Sequence, residues 1–293
     1  GMNDMESSWR GARVALGLTD VEHDIAGQKI AVCGFNNTPM RSSRRVWELT
    51  FEAESKKNRS SRGSGSDALS STIPAEASID EPEIEHHNIN KAYDGLREES
   101  FNSEYYEAWL KGQTGYPLID ACMRALKDGG WINFRMRAML VSFTSYHLWL
   151  HWKKPAIELA KLFTDYEPGI HYSQIQMQAG VTGINTVRIY SPIKQVSDQD
   201  PQGIFIKSYL PELNSIPDHH LAEPHKMTQL EQSMYGCVIG KNYPSPIVNH
   251  AEAYRSARDQ IHSIKKMKST KEESKKVFLK HGSRKSNRKP VRA

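Results

Sequence analysis

With 293 residues and 38% hydrophobic content, the chain is long enough for one large domain or two small ones, and no run approaches the roughly 18 apolar residues of a membrane span. Its net charge of +5 is unevenly divided: from Arg255 onward there are fourteen Lys/Arg against three acids, Asp259, Glu272 and Glu273, a balance of +11 that leaves −6 for the rest. Three cysteines, Cys33, Cys122 and Cys237, lie far apart in no C-x-x-C pair, which argues against a disulfide framework, a structural metal site or an iron–sulfur cluster and for free thiols in a reducing cytoplasm.

Gly1-Met2-Asn3-Asp4 has neither the basic nor the apolar region of a secretory signal. The expected location is therefore cytoplasmic, nucleoid-associated in a bacterium. Ile30 to Phe35 reads as a short strand and Val46 to Phe51 as a helical turn, but no fold is assigned to residues 1–80. Residues 55–72, rich in Ser, Gly, Lys and Arg, cannot bury enough apolar surface to offset their ordering entropy and read as linker or disorder.

Helical spacing begins after them. Glu104 to Trp109 reads as one helix. Pro117 opens a second at its first position, where the missing N–H costs nothing. Leu118, Ile119, Cys122, Met123 and Leu126 then recur at helical spacing until Gly129-Gly130 stops it. Ile132 to His151 reads as one long helix with Met136, Met139, Leu140, Phe143 and His147 on a single stripe. Pro155 opens another, with Leu159, Leu162 and Phe163 inward, and Thr164 to Asn185 reads as irregular. Tyr254 to Ser263 is helical by spacing and the remaining tail is not. The expectation is a mainly α, orthogonally packed domain over 81–230 with poorly ordered flanks, followed by a basic C-terminal extension, 231–293. A basic tail on a mildly acidic body suggests contact with a polyanion.

Trp109-x-x-Gly112-x-Thr114-Gly115-Tyr116-Pro117-Leu118-Ile119-Asp120-Ala121-x-Met123-Arg124 is followed by Gly130-Trp131, Arg135-x-Arg137 and Ser142-Phe143. Later come Asp198-x-Asp200-Pro201-x-Gly203-x-Phe205-Ile206 and Leu210-Pro211-Glu212-Leu213. Each fragment alone is weak, but in this order and at these separations they resemble the FAD-binding domain of the photolyase/cryptochrome family over about Glu81 to Pro224. The resemblance implies a helical domain holding folded FAD at the bottom of a cavity facing DNA. It further implies electron transfer from photoexcited reduced flavin to a UV-induced pyrimidine dimer flipped from the duplex.

Residue by residue, the resemblance implies that Asp165 binds the flavin side of the cofactor and that Arg137 pairs with it beside the ring. Glu167 would meet ribityl or ribose hydroxyls, and Trp131 would wall the pocket. Phe134 and Tyr166 complete the cofactor-lining set. His171 aligns with the residue facing flavin N5, where relatives carry Asn, Asp or Cys. A histidine can change charge near neutral pH and tune the flavin's protonation. Trp152 matches the second member of the photoreduction chain. Met177, together with Lys265, Lys266, Lys268, Arg284 and Lys285 of the basic tail, forms the expected DNA-binding set.

The sequence also departs from the family pattern. The tryptophan nearest the flavin falls at Ile175, which cannot be oxidised, so the expectation is slow photoreduction or a detour through Trp149, Tyr172, Tyr146 or Tyr190, with Tyr172 and Trp149 foremost and Trp149 placed with Trp152 in the electron-transfer set. The tryptophan that stacks on the flipped dimer falls at Met177, which has no flat face. Asn133-Phe134 replaces the usual His-Asn before Arg. No match to the Thr-Ser-x-Leu-Ser-Pro-Tyr-type segment that cradles the FAD phosphates occurs between Gly1 and Ile79, although Arg44 to Glu48 faintly resembles the stretch C-terminal to that segment in the family. Three readings result: light-driven dimer repair by a monomeric enzyme, a cryptochrome-like photosensor without repair, and a truncated remnant that no longer holds FAD. The sequence has neither a G-x-G-x-x-G after a strand nor a P-loop, which disfavours Rossmann and phosphoryl-transfer readings.

Overall fold

The computed structural model describes residues 20–25, 28–33 and 82–281. The chain divides into two compact units, 1–67 and 68–293. In the first, strands β1 (Asp20–Ile25) and β2 (Gln28–Cys33) pair antiparallel, with Asp20 opposite Cys33 and Ile25 opposite Gln28. β2 takes in four of the six residues expected as strand, Ile30 to Cys33. Phe35, the turn at Val46 to Phe51, Arg44 to Glu48 and the linker at 55–72 lie outside the described residues.

The second unit is helical, as expected. α1 (Ser103–Lys111) is capped by the Asn102 side chain, which accepts from the Tyr105 amide. α2 (Pro117–Gly129) starts on Pro117 and stops at Gly130 in the left-handed region. Its Leu118, Ile119, Cys122, Met123 and Leu126 are all buried. The turn between α1 and α2 is built around Asp120. One carboxylate oxygen accepts from the Thr114 amide at 2.7 Å and the Thr114 hydroxyl at 2.7 Å, and the other from the Gly115 amide at 3.1 Å and the Tyr243 hydroxyl at 2.5 Å. Gly115 has φ +77°, and a Cβ there would lie 2.5 Å from the Pro246 nitrogen, so this corner demands glycine. The Thr-Gly-Tyr-Pro-x-x-Asp pattern is thus a fold-building turn.

The next helix is shorter than the apolar stripe suggested. α3 (Phe134–Ser142) gives way to a π-turn at Phe143–His147, and Trp149 takes φ +52°. Met136, Met139, Leu140, Phe143 and His147 are buried all the same. The stripe persists because the chain remains inside the core after leaving helical geometry, so periodicity alone overran the end. Two further readings are corrected. Thr164 to Asn185 contains a full helix, α5 (Pro168–Ala179), which follows α4 (Lys153–Leu162). α5 buries His171, Ser173 and Gln176 alongside Tyr172 and Ile175, and an inward face made partly of polar residues has no apolar period to read. The tail beyond Ser263 is also helical: α9 and α10, defined below, extend through it. α10 turns only Thr270, Val277 and His281 inward, too few for a hydrophobic signal.

The remaining elements fasten the family-like fragments to one another. α6 (Pro192–Gln199) leads to Asp200, whose oxygens accept from the Phe205 and Ile206 amides at 3.2 and 2.8 Å and open α7 (Ile204–Tyr209). Arg124 of α2 forks onto Glu212 at 3.1 and 2.7 Å. After α8 (Gln229–Met234), with its Thr228/Glu231 capping box, α9 (His250–Lys266) packs on the π-turn, and α10 (Lys268–His281) packs on the short turn at Lys91–Tyr93. His147 Nε2 and His250 Nδ1 lie 2.8 Å apart, and burial pushes His147 down to about 3.

Candidate functional site

The linker between α4 and α5 carries Phe163, Asp165, Tyr166 and Glu167. It is pinned to the end of α2 by the Thr164 amide, which donates to Gly130 O at 3.0 Å. That contact brings Asp165 against Arg137 of α3. Arg137 donates through Nη1 and Nη2 to the two Asp165 oxygens at 3.0 and 2.9 Å, and through Nε to Ile132 O at 2.8 Å. Its guanidinium lies 4.3 Å from the Phe163 ring centre. Three hydrogen bonds and a ring beneath fix the fork rigidly, as a planar guanidinium allows and an ammonium would not. The Asp165 side chain is still 22% exposed.

Glu167 caps α5, its two oxygens accepting from the Gly169 and Ile170 amides at 3.2 and 2.9 Å. One turn into α5, His171 is buried, with its Nε2 2.8 Å from Ala156 O. A carbonyl only accepts, so Nε2 carries the hydrogen and Nδ1 is the free acceptor. Burial pushes this imidazole down to about 4. The expected charge change near neutral pH is corrected: desolvation, with the Arg137 charge adding to it, outweighs the opposing pull of Asp165 and keeps the ring neutral there.

The rings of Tyr166 and Tyr172 lie 5.2 and 5.1 Å from His171. Tyr172 in turn lies 6.4 Å from Trp152. Trp152 is buried, its indole N–H donating to Asn88 Oδ1 at 2.7 Å. Trp152, Tyr172, His171 and Tyr166 therefore form one continuous ring cluster. Trp149 belongs to another: the Arg97 guanidinium sits 4.5 Å from its ring centre and 5.3 Å from that of Tyr146. Arg97 is buried and its Nη1 donates to Ala179 O at 3.1 Å, capping the C-terminus of α5. Burial lowers it to about 10, leaving it cationic at neutral pH.

Of the other expected residues, Trp131 is half-buried just after α2, and Phe134 opens α3. Ile175 is buried and Met177 half-buried on α5. Lys265 is half-buried with Nζ donating to Asn185 O at 3.3 Å, while Lys266 and Lys268 are exposed. Arg284 and Lys285 lie outside the described residues. Sequence reasoning gave no site role to Phe163 under the fork, read there only as inward, or to Arg97 over Trp149.

A forked arginine–carboxylate pair, a neutral histidine and a ring cluster stand together on one helical scaffold. Residues 73–263 match the family model described as the FAD binding domain of DNA photolyase. The deoxyribodipyrimidine photo-lyase of Alkalihalophilus pseudofirmus is 34% identical over 179 residues, 60% of this chain and 37% of that protein. Cryptochrome-1 of Culex quinquefasciatus is 33% identical over 190 residues, 61% of this chain and 38% of its own length. Among solved structures, a class III photolyase from Agrobacterium tumefaciens aligns with TM-score 0.60 and 29% identity over 65% of this chain and 40% of its own. An archaeal photolyase from Sulfolobus tokodaii with two FAD molecules aligns with TM-score 0.56 and 30% identity over 64% of this chain and 41% of its own. The chain belongs to the photolyase/cryptochrome family and carries its FAD-binding domain, with FAD as the cofactor. It spans about two fifths of the length of these relatives.

The residues fit that cofactor. Asp165 keeps unused lone pairs toward solvent, able to accept from a further donor. An imide-bearing ring edge supplies such a donor.

Proposed function

We propose that the protein is a blue-light-driven DNA repair enzyme of photolyase type, splitting pyrimidine dimers by electron transfer. The observation that carries this reading is the Arg137–Asp165 fork beside neutral His171, inside a domain matched by the photolyase family model. FAD, once reduced and excited by light, supplies the transferable electron. Arg137 orients Asp165, and its fixed positive charge would favour negative charge added to a flavin held there. His171 offers a neutral Nδ1 acceptor. The dinucleotide would be flipped out of DNA to reach the cavity, with Met177 as its apolar neighbour.

The ring cluster supports one of the substitutes for the missing tryptophan at Ile175. A guanidinium over Trp149 and Tyr146 disfavours removing an electron from either, whereas Tyr172 touches both Trp152 and His171. Tyr172 is therefore the relay toward Trp152. Ile175→Trp should accelerate loss of oxidised-flavin absorbance under blue light, Tyr172→Phe should slow it, and Trp149→Phe should change it little. If Trp149→Phe is the variant that slows it, this route is wrong.

A second reading, photosensing without repair, is favoured by Met177 in place of a stacking tryptophan and by the cryptochrome relatives. A dimer-containing oligonucleotide illuminated with the FAD-loaded protein separates the two. Restoration of the pyrimidines supports repair, and reversible flavin photochemistry without restoration supports sensing.

A further inference from the structure

The last described helix, α10 (Lys268–His281), lies wholly beyond the family match, which ends at residue 263. It is a seated element: Thr270 and Val277 face inward, and Asn90 Nδ2 donates to Ser274 Oγ at 3.0 Å. Its outward surface is strongly basic. Lys268, Lys271, Lys275 and Phe278 recur three and four residues apart, forming one exposed stripe. The Lys268 side chain is 92% exposed and its carboxylate neighbour Glu272 is 3.9 Å away. Lys271 and Lys275 meet no carboxylate among the described residues, and Lys266 adds charge just before the helix. The sequence continues basic beyond it, with Arg284, Lys285, Arg288, Lys289 and Arg292 and no acid.

We propose that this stripe of α10 is a second DNA contact, separate from the flavin cavity, which grips the phosphate backbone of undamaged duplex. Charge complementarity carries the assignment. Three lysines spaced along a fixed helix can neutralise consecutive phosphates and release their counterions without reading sequence. A lipid surface fits less well. A helix lying in a membrane needs a broad apolar face, and the exposed apolar residues of α10 are Phe278 and Leu279 alone among the described residues, with Glu272 on the same side as Leu279. The face needs neither damage nor light, so it stands or falls apart from the repair reading.

The test uses the full chain in the dark with a fluorescent, undamaged short duplex, titrated over a range of salt. The triple variant Lys268→Gln, Lys271→Gln, Lys275→Gln keeps good helix formers at exposed positions. It should flatten the slope of log affinity against log salt by roughly 2.7, three contacts at about 0.9 each, with unchanged thermal unfolding. Glu272→Gln, which removes the negative charge beside Lys268, should tighten binding. An unchanged slope in the triple variant overturns the proposal, as does loss of binding to phosphatidylserine vesicles with duplex binding intact. Should the triple variant fail to fold, Glu272→Gln decides alone: duplex affinity no tighter than wild type overturns the proposal.

Discussion

Asp120 and Asp165 are both carboxylates fixed by well-formed hydrogen bonds, yet one is closed and the other open. Asp120 is fully buried and accepts from four donors, the Thr114 amide and hydroxyl, the Gly115 amide and the Tyr243 hydroxyl. No cation pairs with it among the described residues, and burial pushes it up to about 6. Asp165 accepts from Arg137 and keeps an exposed side. A carboxylate whose lone pairs are all spent on its own chain builds the fold, and one held by a single guanidinium has capacity left for a ligand. The motif that most clearly carried the family resemblance belongs to the first kind, so family membership and cofactor chemistry rest on different residues.

The largest effect expected from this contrast is on stability. Asp120→Ala leaves four buried donors without their acceptor and should cost about 4 kcal/mol, given 1–3 kcal/mol for each such group and some relaxation. Denaturant unfolding measures it, and a loss below about 1 kcal/mol would show that water replaces the carboxylate.

A somewhat smaller effect concerns pH. His171 is lowered from 6.5 to about 4, so the folded chain holds it neutral while the unfolded chain protonates it. Its contribution is complete above pH 6.5 and is lost as pH falls from there to about 4, amounting to about 3 kcal/mol. His171→Gln should flatten the acid limb of the stability curve over that window. An acid limb identical to wild type would place the lability elsewhere, with His147 the next candidate.

Asp165→Ala comes third. The pair is partly exposed, with side chains 14% and 22% accessible, so solvent screens the orphaned Arg137. The cost should be about 1–3 kcal/mol, below that of a fully buried pair. If Asp165→Ala destabilises more than Asp120→Ala, the division into fold-building and ligand-holding carboxylates fails.

Legibility in the sequence divides along the same line. α1, α2 and α4 announced themselves through apolar spacing, Pro117 and Gly130. The Arg137–Asp165 pair was legible only through family resemblance, since two residues 28 positions apart carry no local signal. α5 went unread because its buried side includes His171, Ser173 and Gln176, and the end of α3 was overrun because the chain stays buried through the π-turn. The tail helix hid for the opposite reason, having almost no inward face. Arg97 could not be found from sequence: a lone arginine between Leu96 and Glu98 says nothing of the two rings it covers.

The most direct test of the central claim is flavin retention. Wild type, Asp120→Asn and Asp165→Ala are titrated with FAD at a temperature where all three are folded, and bound flavin is read from its absorbance after removal of free cofactor. Wild type and Asp120→Asn should hold FAD alike, while Asp165→Ala should lose most of it. Equal retention by Asp165→Ala and wild type would contradict the assignment of the Arg137–Asp165 fork to the cofactor.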